Sequence, residues 1–380
     1  MTDRDPADDS AEGATLPGSE PRVVPPPLPS RPIATRPQRI FFTGAGGEYF
    51  KIWIVNLLLT VITLGVYSAW AKVRRLEYFY RHTRLAGAGF DYHGSPMAIL
   101  KGRLIAALLF GGYYAAGLVS PEAGFAAFIV LLLVLPFLIV RALRFRLYNT
   151  SYRGLRFRFG GGTGEAYRVF LGIGVATLCT LFMLLPFWVQ RQRRYVHANS
   201  CYGKTPFTFD APVAGFYRIY LTAFAAGIAL VVALAVMMFA LIGSVVIGGS
   251  GSDAAGSAAT MIATVVLGFG YVLGTVGIWS FVGARVQNLA WNHTRLGPHR
   301  FRCELRARRL MAITITNVLA IVFTLGLFKP FADVRLTKYL TSAFTFEPAG
   351  SLDEFFAGEQ QHIAAVGDEA VDMFDVDLAF

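Results

Sequence analysis

The stretch that decides how this chain is read is YFKIWIVNLLLTVITLGVYSAWAKVRR, residues 49–75. Its apolar run is about as long as the roughly 20 residues that cross a bilayer, and it ends in a cluster of bases. The pattern comes back twice. Adding 117 to the residue number carries Phe42 to Phe159, Glu48 to Glu165, Trp70 to Phe187, Arg74 to Arg191, Tyr78 to Tyr195 and Tyr92 to Phe209 without a gap. Adding 261 carries Asn56 to Asn317, Thr63-Leu64-Gly65 to Thr324-Leu325-Gly326, Trp70 to Phe331 and Arg74 to Arg335. Self-similarity of this kind in an apolar chain predicts an all-α polytopic membrane protein with internal repeats and small cytoplasmic β elements.

Composition agrees. The chain has 380 residues, 54% hydrophobic and only 16% charged, which is short of charge for a soluble globule. A net charge of +11 raises the question of nucleic acid. The bases, however, sit at the ends of apolar runs, where they anchor helices and set orientation, rather than on one soluble face. The expected partners are the bilayer and its anionic headgroups, and nucleic acid is not among them. Cys179, Cys201 and Cys303 show no paired spacing, so neither a disulfide framework nor a zinc site is expected, and no cofactor is predicted. No basic region followed by an apolar core marks a cleaved signal peptide at the N-terminus.

Taken in order, residues 1–37 carry an acidic patch and then PPPLPSRPIATRP. They are expected to be a disordered Pro-rich tail. Residues 38–155 form membrane repeat 1, residues 156–298 membrane repeat 2 and residues 299–349 a partial membrane repeat 3. Residues 350–380 are an acidic C-terminal tail. Each copy reads as a short strand, a hydrophobic segment, a basic aromatic helix and a second strand. The strands are the alternating FDY, FTF and FTF near residues 90, 207 and 344. The glycines before Glu48 and Glu165 suit a turn that delivers a carboxylate to a helix start, since the Lys-Ser or Lys-Thr of a P-loop is missing. Two further pairs of apolar runs, 104–119 with 125–140 and 219–247 with 261–282, are joined by turns without a basic residue. By charge bias those turns lie outside, and the N-terminal tail is cytoplasmic.

Counting every apolar run as a span gives seven crossings. That count conflicts with charge bias, because bases flank both sides of each repeated segment: Arg31, Arg36 and Arg39 before the first, for example, and Lys72 to Arg103 after it. If each repeated segment instead dips in and returns, every basic loop lies on one face and the flanking strands can pair. Length alone favours seven spans.

Three stretches resemble a known family: FFTGAGGEYFKIWIVNLLLTVITLGVYSAWAKVRRLEYFYRHTRLAG, LKGR at 100–103, and the C-terminal VGDEAVDMFDVDLAF. They look like the YjgN-like bacterial inner-membrane family, a domain of unknown function, over residues 38–380. The second copy keeps the spacing more than the identity, and the third has Arg306, Arg308 and Arg309 where the GG-x-E turn would be. The resemblance implies a multi-pass inner-membrane location and brings no activity with it.

No convergent His, Asp, Glu, Ser or Cys set marks an enzyme. Asn56, Thr63, Thr180, Asn317 and Thr324 recur as uncharged polar residues inside apolar segments, where they line a polar path or join helices by hydrogen bonds. Arg74, Arg75, Arg191, Arg194 and Arg335 are the expected lipid headgroup contacts. The tetrapeptide HTRL at residues 82 and 293 lacks the spacing of a helical zinc site and reads as a cap. On architecture the leading expectation is a transporter or channel-like protein with an unknown solute. The alternative is a non-transporting membrane scaffold or anionic-lipid-interacting protein.

Overall fold

A computed structural model of the protein describes residues 36–247, 254–351 and 355–359. The expected N-terminal tail, the turn at 248–253 and most of the acidic tail lie outside the described residues.

The chain is not all-α. Its strands are β1 (Gln38–Arg39), β2 (Phe41–Phe42), β3 (Thr83–Leu85), β4 (Ala88–Tyr92), β5 (Thr150–Tyr152), β6 (Leu155–Phe159), β7 (Ser200–Tyr202), β8 (Thr205–Phe209), β9 (Thr294–Leu296), β10 (His299–Cys303) and β11 (Phe344–Glu347). Among the described residues these eleven form one antiparallel sheet in the order β1-β11-β10-β9-β8-β7-β6-β5-β4-β3-β2. Its two ends are neighbours in the chain. Gln38 and Arg39 pair with Phe346 and Thr345, Phe41 and Phe42 pair with Arg84 and Thr83, and the Ile40 N–H donates to Phe344 O at 3.1 Å. Residues 38–42 thus join both edges of a nearly closed, barrel-like sheet, which leaves little edge unpaired. The strands are two to five residues long and their partners lie far away in sequence, so the periodicity of any one of them is too short to announce a sheet.

Tight turns alternate with helical excursions along this sheet. The turns between β3 and β4 and between β5 and β6 use Ala86-Gly87 and Arg153-Gly154, all at positive φ, which is the turn that matches strand twist. Five excursions leave the sheet and return to a neighbouring strand. The first is α1 (Gly46–Ile62) and α2 (Ser68–His82). The second is α3 (Pro96–Val119) and α4 (Pro121–Tyr148). The third is α5 (Thr163–Ala166), a π-helical stretch (Tyr167–Gly172), α6 (Ile173–Cys179) and α7 (Leu185–Ala198). The fourth is α8 (Val213–Ile247) and α9 (Ala254–Asn292), and the fifth is α10 (Ala307–Phe323) and α11 (Lys329–Ser342). In each case the strand before the excursion pairs with the strand after it.

The count of seven uninterrupted helices does not hold. Among the described residues four helices are long and apolar enough to cross a membrane: α3, α4, and the apolar parts of α8 and α9. The three segments read in the sequence as repeats each break at a five-residue turn. Thr63 and Thr324 close the first helix by donating their hydroxyls to Leu59 O and Ala320 O, and then accept from the backbone N–H of Tyr67 and Phe328. Leu64 and Leu325 have φ near +50, followed by Gly65 and Gly326 at φ +93. The third excursion has Leu181 and Phe182 at φ +49 and +66 in the same turn.

The core divides accordingly. One cluster takes Leu85, Tyr152, Leu155, Tyr202, Phe207, Leu296 and Phe346 from seven different strands, and so fills the inside of the sheet; Phe355 and Phe356 of residues 355–359 pack into it. Tyrosine hydroxyls inside are satisfied across strands: Tyr202 Oη donates to Tyr152 O, and Tyr152 Oη donates to Leu85 O. Five satellite clusters pack the base of the helices against Phe42, Tyr92, Phe159, Phe209 and Cys303 at the strand ends. A tyrosine fixes the base of the three broken excursions in one way. Tyr78, Tyr195 and Tyr339 donate to the carbonyls of Ala45, Gly162 and Arg306, the residues that precede α1, α5 and α10.

A Cβ at Gly65 or Gly326 would meet no neighbour, so the cost of alanine there is the left-handed backbone alone, about 1 kcal/mol. Gly65→Ala and Gly326→Ala should each lower the thermal unfolding midpoint of the detergent-solubilised protein. Gly47→Ala, in open space within α1, should leave it unchanged or raise it.

Candidate lipid-facing site

The broken excursions end in apolar side chains with no protein around them. Leu64 is 95% exposed, Leu181 86% and Leu325 95%, and they are flanked by exposed Val61, Ile62, Leu178, Phe182, Met183, Val322 and Phe323. An apolar cluster of this kind at the end of a hairpin marks an interaction surface. Behind each apex stands an arginine at one fixed depth. Arg74, Arg191 and Arg335 are each the seventh residue of the returning helix, about 10 Å back from the turn at 1.5 Å per residue. Arg74 lies 5.7 Å from the Tyr67 ring and Arg191 lies 4.9 Å from the Phe187 ring. The Arg335 guanidinium donates to Thr316 Oγ1 at 2.8 Å and to Asn317 Oδ1 at 3.4 Å.

The polar residues singled out in the sequence do not converge. Thr63, Thr180 and Thr324 spend their hydroxyls on the carbonyls of their own helices at the apex turns. Asn317 is buried between α10 and α11, with its amide donating to Ala332 O at 3.2 Å. Asn56 is buried at the corresponding place in the first excursion. The threonines make turns and Asn317 joins α10 to α11, while Asn56 Oδ1 is buried without a hydrogen-bond partner. Of the expected headgroup residues, Arg74, Arg75, Arg194 and Arg335 are exposed and Arg191 is partly so. Arg75 is committed in part to an ion pair with Asp333 at 3.4 Å.

Comparison with known proteins places the chain. The family described as "Bacterial protein of unknown function (DUF898)" matches residues 37–373. The chain belongs to this family. Curated relatives include inner membrane protein YjgN of Salmonella typhimurium, 35% identical over 123 residues that make up 32% of this chain and 31% of the relative. Inner membrane protein YjgN of Escherichia coli K12 is 36% identical over 124 residues, 31% of this chain and 30% of the relative. The chain therefore spans less than a third of the length of the curated relatives it matches. No solved structure matches it.

Three features of this family member escaped the sequence reading. The first is Asp333, whose carboxylate is mostly buried and receives both Lys329 and Arg75. It ties the fifth excursion to the first, where Phe50 stacks on Phe331 at 5.6 Å. It also turns the Lys329 ammonium back from the apex, which lowers the cost of a charge so near the apolar end. Nothing in the spacing of Lys329-Pro330-Phe331-Ala332-Asp333 distinguishes that pair from an exposed one. The second is a groove between α1 and α2, lined by Lys51, Ile52, Val55, Arg74, Glu77, Tyr78, Arg81 and His82.

The third is His197, buried in the last turn of α7, with Nδ1 3.0 Å from Thr294 Oγ1. That hydroxyl donates to Ala290 O, so the imidazole is the donor to it. Burial first, and the nearby Arg193 second, push its pKa down to about 4. An unfolded chain protonates this histidine near 6.5 while the fold keeps it neutral, so the unfolded state binds more protons between those values. Stability contributed by His197 is therefore present above pH 6.5 and is lost as pH falls toward 4. His299, also lowered by burial, acts with the same sign. His197→Gln should flatten part of the fall in unfolding midpoint between pH 6.5 and 4; a profile parallel to that of the parent would remove His197 from the account.

Proposed function

We propose that this chain is a bacterial inner-membrane protein that works on the bilayer itself, as a non-transporting scaffold engaging anionic lipid. In this reading α3 with α4 and α8 with α9 are two spanning pairs. The 24 residues of α3 reach about 36 Å, more than the roughly 30 Å of hydrocarbon. The three broken excursions are copies of one unit and enter a single leaflet. Their 17-residue first helices α1 and α10 extend about 25 Å, part of which stands beside the sheet. The sheet, every basic loop and the N-terminal tail then share the cytoplasmic side, as charge bias prefers. The relatives named as inner membrane proteins support the location.

The observation that carries the reading is the threefold recurrence of an exposed apolar apex with an arginine about 10 Å behind it. Apolar side chains at that depth favour the acyl layer, and a guanidinium behind them meets phosphate. A transport path lacks comparable support, because the Asn317 amide is spent on a helix contact and the Thr180 hydroxyl on its own turn. No catalytic step enters this reading.

Nitroxide labels test the depth. Cys179 lies exposed at the apex of the third excursion, whereas Cys303 is buried with its thiol pushed up to about 12 by burial. A Cys201→Ser background therefore leaves one reactive native site, and Cys179→Ser is added wherever a cysteine is introduced elsewhere. Labels at Cys179, Leu64→Cys and Leu325→Cys should be relaxed by oxygen and shielded from a water-soluble nickel complex in vesicles, and a label at Arg84→Cys on the sheet should behave oppositely. Equal access of the nickel complex to the apices and to residue 84 would overturn the reading.

A further inference from the structure

The groove between α1 and α2 is about 490 Å³, and its lining is graded from end to end. Lys51, Arg81 and His82 stand near the sheet, Arg74 stands nearer the apex, and Ile52 and Val55 form the apolar wall. Lys51, Val55, Leu58 and Ile62 follow at intervals of four, three and four residues, which places them along one face of α1. The last three are exposed hydrophobes. That face therefore starts in a cation within the groove and continues as an apolar track to the tip of the hairpin. Its shape and chemistry match an amphiphile whose anionic group lies beside bases and whose chain follows the helix outward.

Among the residues that line the groove, cations outnumber carboxylates, and further carboxylates stand at its edges. Lys51, Arg74 and Arg81 face Glu77, and Arg81 also pairs with Asp91 at 3.7 Å on the rim. Glu48 approaches from below, 3.3 Å from Tyr78 Oη. Lys51 and Arg74 are left as the pair best placed for a phosphate, with Glu77 in reach of a headgroup hydroxyl. The third excursion carries Arg168 and Arg191 where the first has Lys51 and Arg74, but Ala198 replaces Arg81. The fifth has Ala312 and Ser342 and keeps only Arg335. The third excursion thus keeps the Lys51 and Arg74 pair as two arginines, and among the broken excursions the first alone adds Arg81.

We infer that the groove between α1 and α2 is a binding site for one anionic glycerophospholipid, with its phosphate at Lys51 and Arg74 and an acyl chain along Val55, Leu58 and Ile62. The inference rests on entry of the first excursion into a leaflet and adds a particular lipid class and place. Selectivity comes from the phosphate with a hydroxyl-bearing headgroup. A zwitterionic choline headgroup would set its own cation among Lys51, Arg74 and Arg81.

The test uses the full chain in detergent, titrated with phosphatidylglycerol or phosphatidylcholine and read by native mass spectrometry. One phosphatidylglycerol should bind saturably and in preference to phosphatidylcholine. Lys51→Gln with Arg74→Gln should weaken it by at least about tenfold, since each interfacial cation contributes on that scale. The exposed and distant Arg308→Gln should leave it unchanged. Val55→Asn, which interrupts the track and keeps the cations, should weaken the lipid and spare any binding of glycerol 3-phosphate. Undiminished lipid binding in Lys51→Gln with Arg74→Gln would overturn the site. Competition by glycerol 3-phosphate as strong as that of the lipid would overturn the lipid in favour of a soluble phosphate. The nitroxide depth at Leu64 is read separately, so loss of leaflet entry and loss of this site are distinguishable.

Discussion

A strand can satisfy its backbone only by lying alongside another, and that requirement governs this molecule. Because the strand entering every helical excursion pairs with the strand leaving it, both ends of each excursion stand at the same level, whatever happens in between. Long pairs such as α3 and α4 and short broken ones such as α1 and α2 become variants of one connection. The hydroxyls that end the returning helices serve the same junction: Thr83, Thr150, Ser200 and Thr294 each donate back to the carbonyl four residues earlier and then begin a strand. Without that sharp change from helix to strand the sheet would lose register.

Energetically the molecule has two separate solutions to burial. Inside the sheet, aromatic side chains meet one another and the hydroxyls of Tyr202 and Tyr152 reach carbonyls two strands away, while His299 Nε2 is left buried without a partner. On the long helices the opposite holds, with apolar side chains left without protein cover over most of α3, α4, α8 and α9. In water such surface would be untenable; in hydrocarbon it is at ease. The satellite clusters at Phe42, Tyr92, Phe159, Phe209 and Cys303 sit at the border between the two regimes. They hold the helices at fixed places around the rim.

Much of this was legible in residues 49–75 and their two echoes. The bases on both flanks of each segment raised a dip and return beside the seven spans that length favoured, and Gly65 offered the bend at which the helix breaks. The tyrosines at 78 and 195 were legible as equivalent positions, and their shared bond to the residue before the helix was not, because a phenol in an interfacial helix has many partners. Asn56 and Asn317 were visible as polar atoms in an apolar run, but whether they faced a path or a neighbouring helix depended on packing. The sheet was least visible. FTF and FRF alternate for only a few residues, and their pairing joins residues as distant as Gln38 and Phe346.

That last pairing has a consequence for biogenesis. Of the two neighbours of residues 38–42, β3 follows them soon in synthesis, whereas β11 comes only after all the helical excursions. Until then a growing chain carries an open sheet edge beside helices that have already been made. Closure of the sheet is therefore a late step, made when β11 pairs with both β10 and β1. A chain truncated before β11 would present two unpaired edges to chaperones and proteases, which gives the cell a physical means of telling a finished molecule from an unfinished one.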